Sequence, residues 1–212
     1  MLELYAIPVS LYCAKTRILL RHKRLDWVEI LPPGGYGSEE YKTVVPSGNL
    51  PALRDGDLLL ADSEAIAEYL NDHYPDPPAL PGDPIRRAKC RERSRFRDTR
   101  LEPALRTLFP YLPGRASPPD GLLIEKSAQL SALLGQLGLL LRDAPDTGGS
   151  MTLADCGFPI TFAWIDAMTP LMALQIDWPV EVIAYCDRLH ALPAVATELQ
   201  DYRPKLAKFL AT

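Results

Sequence analysis

Ser10 occupies a position in the sequence where a bound anion could be stabilised. It follows an alternating apolar segment, Leu2 to Ala6, and precedes residues at helical spacing, so it should lie at the N-terminus of the first helix. Unpaired backbone N–H groups and the helix dipole favour negative charge at such a position. A thiol bound there would lose its proton more easily, and the Ser10 hydroxyl could donate a hydrogen bond to the thiolate. The simpler alternative is that Ser10 only caps the helix.

Cys13 lies one helical turn after Ser10. Disulfide exchange of the thioredoxin type requires a cysteine at the first position of a Cys-x-x-Cys motif, and serine holds that position in Ser10-Leu-Tyr-Cys13. A non-covalent role of the Ser10 hydroxyl is therefore favoured, and we expect Cys13 to pack as a small apolar side chain. A thiol–disulfide reductase would instead need Cys13 as its nucleophile.

Two dipeptides could help to hold a peptide ligand. Leu50-Pro51 precedes a predicted strand, where proline is most simply a strand-start residue. Alternatively, a cis bond there would turn the Leu50 backbone toward a bound peptide, which could pair with it as an added strand. Asp62-Ser63 begins a predicted helix, for which Ser63 can be the capping residue. The pair either only caps that helix or also holds the charged end of a ligand.

The predicted elements that position these residues fall into two groups. Strands near Leu2, at 27–30 and on both sides of Asp55-Gly56, with helices between them, give the order β-α-β-α-β-β-α of an α/β thioredoxin-like N-terminal domain. The proline-rich segment 74–84 is a stiff connector, so we expect domains at residues 1–75 and 85–212.

The second domain is predicted to be all-α. Its expected helices run from Ile85 to about Phe109, with a disturbance at Pro103, and over 123–141, 153–167, 180–191 and 193–209. The segment from Thr152 to Asp155 has the pattern of a capping box, which we assign to folding rather than to chemistry.

Composition excludes several classes of function. Of the 212 residues, 47% are hydrophobic and 24% are charged, and the net charge of −4 disfavours binding to nucleic acid or to an anionic membrane. The four cysteines are scattered, which predicts no disulfide scaffold, no metal site and a reducing, cytoplasmic setting. No signal peptide or membrane-spanning segment is expected.

A run of basic residues follows the connector. We expect it to form a solvated or subunit-facing helix surface, with one or two arginines facing a cleft where they could attract an acidic substrate. The run comprises Arg86, Arg87, Lys89, Arg91, Arg93, Arg95, Arg97 and Arg100.

Several segments together resemble the cytosolic glutathione transferase family. The first is similar to the Ser-x-x-Cys-x-Lys-Val-Arg opening of bacterial, serine-type members. The segments are Ser10-Leu-Tyr-Cys13-Ala-Lys15-Thr-Arg17, Pro46-Ser-Gly48-Asn-Leu50-Pro51-Ala-Leu53, Asp62-Ser63-Glu-Ala65-Ile66-Ala-Glu-Tyr69-Leu70, and Gly148 through Asp155. The resemblance covers essentially the whole chain.

The resemblance implies a role for each matching residue. Ser10 would donate a hydrogen bond to the sulfur of glutathione. Leu50, before a cis-Pro51, would pair through its backbone with the cysteinyl part. Asp62 and Ser63 would bind the γ-glutamyl end.

The resemblance also implies further parts of the site and an assembly. Lys42 is the candidate for binding the glycyl carboxylate. The electrophile site would lie between the domains, where Tyr12, Phe109, Tyr111 and Trp164 are either wall residues or ordinary core residues. Members of the family are usually homodimers, so a homodimer is expected.

The function expected from these observations is a glutathione transferase that joins the glutathione thiolate to a small hydrophobic electrophile, as in detoxification. Glutathione would be the co-substrate, with no metal. Three alternatives stay open: a glutathione-dependent cis–trans isomerase of the zeta type acting on a maleyl compound, a thiol–disulfide reductase, and a non-catalytic protein that binds glutathione.

Overall fold

The N-terminal part of the chain forms a four-stranded sheet. The structure is a computed structural model that describes residues 1–144 and 147–211. The strands are β1 (Leu2–Tyr5), β2 (Trp27–Ile30), β3 (Ala52–Asp55) and β4 (Leu58–Ala61), in the order β2-β1-β3-β4. Strand β1 is parallel to β2 and antiparallel to β3, and β3 and β4 form an antiparallel hairpin.

Three helices complete this domain: α1 (Leu11–His22), α2 (Glu39–Val44) and α3 (Ser63–His73). Leu4, Ile18, Leu53 and Leu70 are buried from solvent, as the apolar positions of the strands and helices predict. The predicted element order and the thioredoxin-like fold of this part are confirmed.

Two local details differ from the sequence prediction. The residue that caps α3 is Asp62, whose Oδ1 accepts hydrogen bonds from the backbone N–H groups of Glu64 and Ala65, so Ser63 is the first helical residue. The hairpin turns at Gly56-Asp57 rather than at Asp55-Gly56, because Asp55 is still paired with Leu58. Gly56 has a φ of 57°, a conformation that favours glycine.

The C-terminal part is helical, as predicted. Its helices are α4 (Pro84–Phe96), α5 (Glu102–Arg106), α6 (Leu122–Arg142), α7 (Phe158–Leu171), α8 (Val180–His190) and α9 (Pro193–Leu210). The segment between His73 and Pro84, which includes most of the predicted connector, contains no helix or strand. No helix among the described residues is long and apolar enough to cross a membrane.

Two predicted helices are interrupted. The charged helix loses α-helical geometry at Arg97–Leu101, a π-helical turn directly before α5, where Pro103 cannot donate a backbone hydrogen bond. The helix expected to begin at residue 153 is a single 3₁₀ turn at Leu153–Asp155, and α7 begins only at Phe158. Cys156 and Gly157 lie between the two, and Pro159 stands in the first turn of α7, where its missing N–H is tolerated.

The capping box is confirmed, and it has a wider role than local folding. Asp155 Oδ2 accepts from the backbone N–H and the hydroxyl of Thr152, while Oδ1 accepts from the Tyr185 hydroxyl and from Arg188. The N–H of Leu153 donates to the carbonyl of Ala79, at 2.8 Å. This turn therefore ties the connector to α8.

The prediction of a solvated basic surface is wrong for two of its arginines. Arg93 and Arg97 are buried. Arg97 donates to the hydroxyl of Thr161, a residue of α7, at 2.8 Å and to Asp98 at 2.9 Å. A Cβ on Gly157 would lie 2.9 Å from Arg97 Nε, so the absence of a side chain at that position makes room for the guanidinium.

Candidate functional site

Residues from both domains line a cavity of about 890 Å³. Four of the residues with predicted roles in glutathione binding lie in its wall: Ser10, Leu50, Asp62 and Ser63. They follow β1 and β4 or belong to the loop before β3. The sheet brings these three places together, because β3 is antiparallel to both β1 and β4. Three distant motifs of the sequence therefore meet at a single site.

Ser10 caps α1, as expected. Its Oγ accepts a hydrogen bond of 3.2 Å from the backbone N–H of Cys13. A hydroxyl has one proton to donate, and accepting from the helix leaves that proton available to a ligand. The first turn of α1 carries no acidic residue, so the positive end of the helix dipole is not offset there. Capping and anion binding by Ser10 are therefore compatible.

The backbone before Ser10 is held by residues of α1 and α9. Tyr202 donates a 2.8 Å hydrogen bond to the Val9 carbonyl and accepts one of 2.6 Å from Trp164 Nε1. Arg17 Nη2 donates to the Pro8 carbonyl, at 3.1 Å, and its Nε donates to buried Glu198, at 2.6 Å. The helical domain thus fixes the loop that carries Ser10.

Cys13 packs inside the protein and does not line the cavity. Burial raises the pKa of its thiol, although the hydrogen bond with Ser10 opposes the shift. A thiol with a raised pKa is a poor source of thiolate at neutral pH. The structure therefore supports packing, rather than chemistry, for this cysteine.

The Leu50–Pro51 peptide bond is cis, as the alternative in which the Leu50 backbone faces a bound peptide requires. Leu50 lines the cavity, whereas Pro51 is buried behind it and does not. Ser47 and Asn49, from the same loop, also line the cavity.

A buried ionic cluster lies beneath the N-terminus of α3. Lys15 Nζ is 2.5 Å from Glu64 and 2.6 Å from Asp98, and the Ser94 hydroxyl donates to Glu64 at 2.8 Å. Burial alone would raise the pKa of Asp98, but Arg97 and Lys15 lower it below its ordinary value. The cluster joins α1 and α3 to the helical domain directly under Ser63.

Aromatic side chains form one side of the cavity. Phe109 stacks on Trp164 with ring centroids 4.6 Å apart, and Phe209 lies 5.9 Å from Trp164 in an edge-on arrangement. Tyr12 lies in the same cavity and donates to Glu102 at 2.8 Å. Burial, followed by the Glu102 carboxylate, raises the pKa of Tyr12, so its phenol stays protonated. We call Tyr12, Phe109, Trp164 and Phe209 the aromatic wall.

Three predicted site residues do not line the cavity: Pro51, described above, Tyr111 and Lys42. Tyr111 is half-buried outside it. Lys42 pairs with Glu39 at 2.7 Å, and its alkyl chain runs past Gly48, where a Cβ would lie 3.3 Å from Lys42 Cγ. A role of Lys42 in binding the glycyl carboxylate stays a prediction.

Several residues of the cavity were not found from the sequence. Arg95 belongs to the basic run, one or two of whose members were expected to face a cleft. Ser47 and Asn49 lie in the matching segment from Pro46 to Leu53 but were given no role. The remaining residues belong to no motif, since they lie in loops or in helices of the C-terminal part. They are Tyr36, Arg106, Arg115 and Phe209. Among residues 1–144 and 147–211, no group of three His, Cys, Asp or Glu side chains could hold a metal ion.

Comparison with known proteins finds a family model that matches the N-terminal part of the chain. Residues 4–78 match the model of the glutathione S-transferase N-terminal domain. Glutathione S-transferase Z2 of Arabidopsis thaliana is 42% identical over 90 residues, which cover 41% of this chain and 40% of that protein. Glutathione S-transferase 2 of Anopheles gambiae is 29% identical over 216 residues, which cover 96% of this chain and all of the relative.

Two further similarities bear on the fold and on the reaction. Maleylacetoacetate isomerase of Pseudomonas aeruginosa is 38% identical over 97 residues, covering 42% of this chain and 45% of the isomerase. A delta-class glutathione transferase of Nilaparvata lugens superposes with a TM-score of 0.81 and 23% identity, over 100% of this chain and 99% of the other. The chain thus matches less than half the length of the Arabidopsis and Pseudomonas relatives, whereas the fold matches throughout. Residues 4–78 are therefore similar to the N-terminal domain of glutathione S-transferases, and the chain as a whole has the fold of the Nilaparvata lugens transferase.

Proposed function

We propose that the protein is a glutathione transferase that joins the glutathione thiolate to a hydrophobic electrophile. The observation that carries the proposal is the convergence of Ser10, Leu50, Asp62 and Ser63 in one cavity that also contains the aromatic wall. Residues 1–75 would bind glutathione, and residues 85–212 would supply most of the electrophile site. The protein would act as a cytoplasmic homodimer in detoxification.

Glutathione would lie across the end of the sheet where Ser10, Leu50 and Asp62 meet. The backbone of Leu50 would pair with the cysteinyl part, as an added strand does. The buried Ser63 hydroxyl and the N-terminus of α3 would hold the γ-glutamyl carboxylate. Asp62 Oδ1 is occupied by the helix cap, so Oδ2 would accept from the ligand ammonium. The peptide would then point its sulfur toward Ser10.

Ser10 would stabilise the thiolate by donating its free hydroxyl proton, while the α1 N-terminus supplies a favourable dipole. The thiolate would attack an electrophilic carbon, forming a C–S bond as the leaving group departs with its electron pair, and the thiol proton would go to solvent. A charge-assisted hydrogen bond contributes about 1.5–3 kcal/mol. Removal of this hydrogen bond would therefore lower the rate by about one to two decades.

Reversible addition is the second candidate. The similarity to a maleylacetoacetate isomerase favours a reaction in which the thiolate adds to a maleyl double bond, the bond rotates, and the thiolate leaves again. Ser10 would stabilise the same thiolate in both reactions. A protein that only binds glutathione would turn over neither class of substrate.

The test compares Ser10→Ala with Ser47→Ala, which removes another hydroxyl from the same cavity. Calorimetry would measure glutathione binding, and kcat/KM would be measured with an aryl halide and with a maleyl compound. We expect Ser10→Ala to lower kcat/KM by about one to two decades while glutathione still binds. Ser47→Ala should have a small effect. Equal turnover in the wild type and Ser10→Ala would remove Ser10 from its role, and absence of turnover of either substrate by the wild type would reject transferase and isomerase alike.

A further inference from the structure

Two arginines lie against the aromatic wall. The Arg106 guanidinium carbon is 5.3 Å from the Phe109 ring centre and 5.8 Å from that of Tyr12. The corresponding distance from Arg115 to the Phe209 ring is 5.6 Å. Both arginines line the cavity. A planar cation stacked on aromatic rings keeps its N–H donors, at the edge of the plane, free to bind a ligand.

The two arginines differ in their counter-charges. Arg106 forms an ion pair with buried Glu102, which offsets its charge. Arg115 donates to the backbone carbonyl of Phe109, at 3.2 Å. Within residues 1–144 and 147–211, no carboxylate lies within salt-bridge distance of Arg115. Arg115 therefore brings a positive charge into the cavity that no acidic side chain of the described chain neutralises.

The acidic side chains of the cavity lie elsewhere in its wall. They are Asp62, which caps α3, and Asp98, which Lys15 and Arg97 bind. Asp98 contacts the aromatic wall through its backbone carbonyl, which accepts from the Tyr12 hydroxyl at 3.3 Å, whereas its carboxylate is held by Lys15 and Arg97. The wall thus combines flat apolar surface with an uncompensated guanidinium, a group whose fork of donors matches a carboxylate.

We infer that the second substrate is an aromatic electrophile with a carboxylate substituent, which Arg115 binds while the ring packs on the aromatic wall. The inference rests on the proposed function and narrows its substrate class. Ring stacking would use Phe109, Trp164 and Phe209, and two of the four guanidinium N–H groups that do not donate to the Phe109 carbonyl would meet the carboxylate. The reactive carbon would then face the glutathione sulfur at Ser10.

The test uses two electrophiles of nearly the same shape, a chloronitrobenzoate and the corresponding chloronitrobenzamide. In both, the thiolate displaces chloride from the ring. Each kcat/KM is divided by the uncatalysed rate constant with glutathione, so that the different reactivities of the rings cancel. Arg115→Gln removes the charge but can still donate to the Phe109 carbonyl. Lys208→Gln is the matched control, because Lys208 is an exposed cation next to Phe209 that does not line the cavity.

The wild type should prefer the acid over the amide. Arg115→Gln should lose about tenfold to a hundredfold in kcat/KM on the acid, the range for one charge-assisted contact, and change little on the amide. Lys208→Gln should behave like the wild type. If the acid-to-amide ratio is the same in the wild type and Arg115→Gln, the inference is overturned, whereas turnover of both substrates would leave the proposed function standing.

A binding measurement separates the two proposals if no turnover is seen. Calorimetry with nitrobenzoate and nitrobenzamide, which lack the leaving group, measures binding in the presence of glutathione. Tighter binding of the acid that Arg115→Gln abolishes would support the anion subsite even if the transferase proposal failed. Equal binding of acid and amide by the wild type would overturn the inference that Arg115 binds a carboxylate.

Discussion

The hydroxyl of Tyr202 donates a hydrogen bond of 2.8 Å to the carbonyl oxygen of Val9, the residue directly before Ser10. Since Tyr202 belongs to the last helix and Val9 to the first loop, the C-terminal end of the chain positions the candidate catalytic residue. Trp164 of the aromatic wall completes the connection by donating to the same hydroxyl. The two sides of the cavity are thus joined by one tyrosine.

Replacing Tyr202 by phenylalanine should therefore affect catalysis as well as stability. The variant leaves the Val9 carbonyl and the Trp164 N–H without this partner, so the free energy of unfolding should fall by about 1–3 kcal/mol. Because the Ser10 loop loses a restraint, kcat should fall more than glutathione affinity does. Tyr69→Phe is the control, since it removes a hydroxyl bonded to Asp55 and does not line the cavity. Unchanged kcat in Tyr202→Phe would show that this contact only stabilises the fold.

Glu198 should be essential for stability. It is fully buried and binds both Arg17 and Arg21. Glu198→Ala would leave buried Arg17 with only its longer contact of 3.7 Å to the more exposed Glu29, and breaking a buried pair costs about 3–5 kcal/mol. Asp201→Ala, on the same helix, removes an exposed pair with Lys205 and should cost at most about 1 kcal/mol. Urea unfolding measures the free energy of unfolding of both variants. An equal decrease in Glu198→Ala and Asp201→Ala would show that the buried pair contributes no more than the exposed one.

Cys13 should be unreactive and dispensable for catalysis. It is buried, and burial raises its thiol pKa. Cys13→Ala should keep the activity toward aryl halides. Thiol titration of the folded protein should detect chiefly Cys186, the one cysteine that is not fully buried, and the reaction should be slow because burial raises the pKa of Cys186 to about 11. Cys186→Ser is the control for that titration. Loss of mixed-disulfide reduction in Cys13→Ala, with such activity present in the wild type, would favour the reductase instead.

Lys42 can be tested through the ligand. If its ammonium leaves Glu39 to bind the glycyl carboxylate, Lys42→Ala should raise KM for glutathione but not for glutathione esterified at that carboxylate. The ester itself should bind the wild type less tightly, because it lacks the charge. Lys89→Ala removes an ammonium in a comparable exposed pair, with Glu92, and serves as the control. Equal effects of Lys42→Ala on glutathione and on its ester would exclude the contact.

Asp98 should make the fold sensitive to acid. Arg97 and Lys15 hold its pKa below the ordinary value despite burial, so the native state binds a proton at Asp98 less readily than the unfolded chain does. Its contribution to stability is therefore complete above the ordinary pKa of about 4 and is lost as the pH falls through the lower native pKa. The free energy of unfolding, measured against pH, should fall less steeply in Asp98→Asn over that acidic range. Identical slopes would show that Asp98 does not titrate as described.

Local sequence determined the elements of this protein. The capping pattern at Thr152, the hairpin signal near Gly56 and the serine before the first helix all depend on groups within a few residues of one another, so their chemistry is visible in the chain. The element order and the positions of Ser10, Leu50, Asp62 and Ser63 at the ends of those elements follow from the same short-range rules.

Tertiary structure alone decided what surrounds those residues. The sequence predicts that Arg97 is a surface cation, yet Arg97 is buried. In a distant segment, Gly157 leaves room for the guanidinium and the Thr161 hydroxyl accepts a hydrogen bond from it. Arg115 and Phe209 join the cavity from a loop and from the last helix. Contacts between groups so far apart depend on how the domains pack, and no periodicity or spacing in the chain encodes that packing directly.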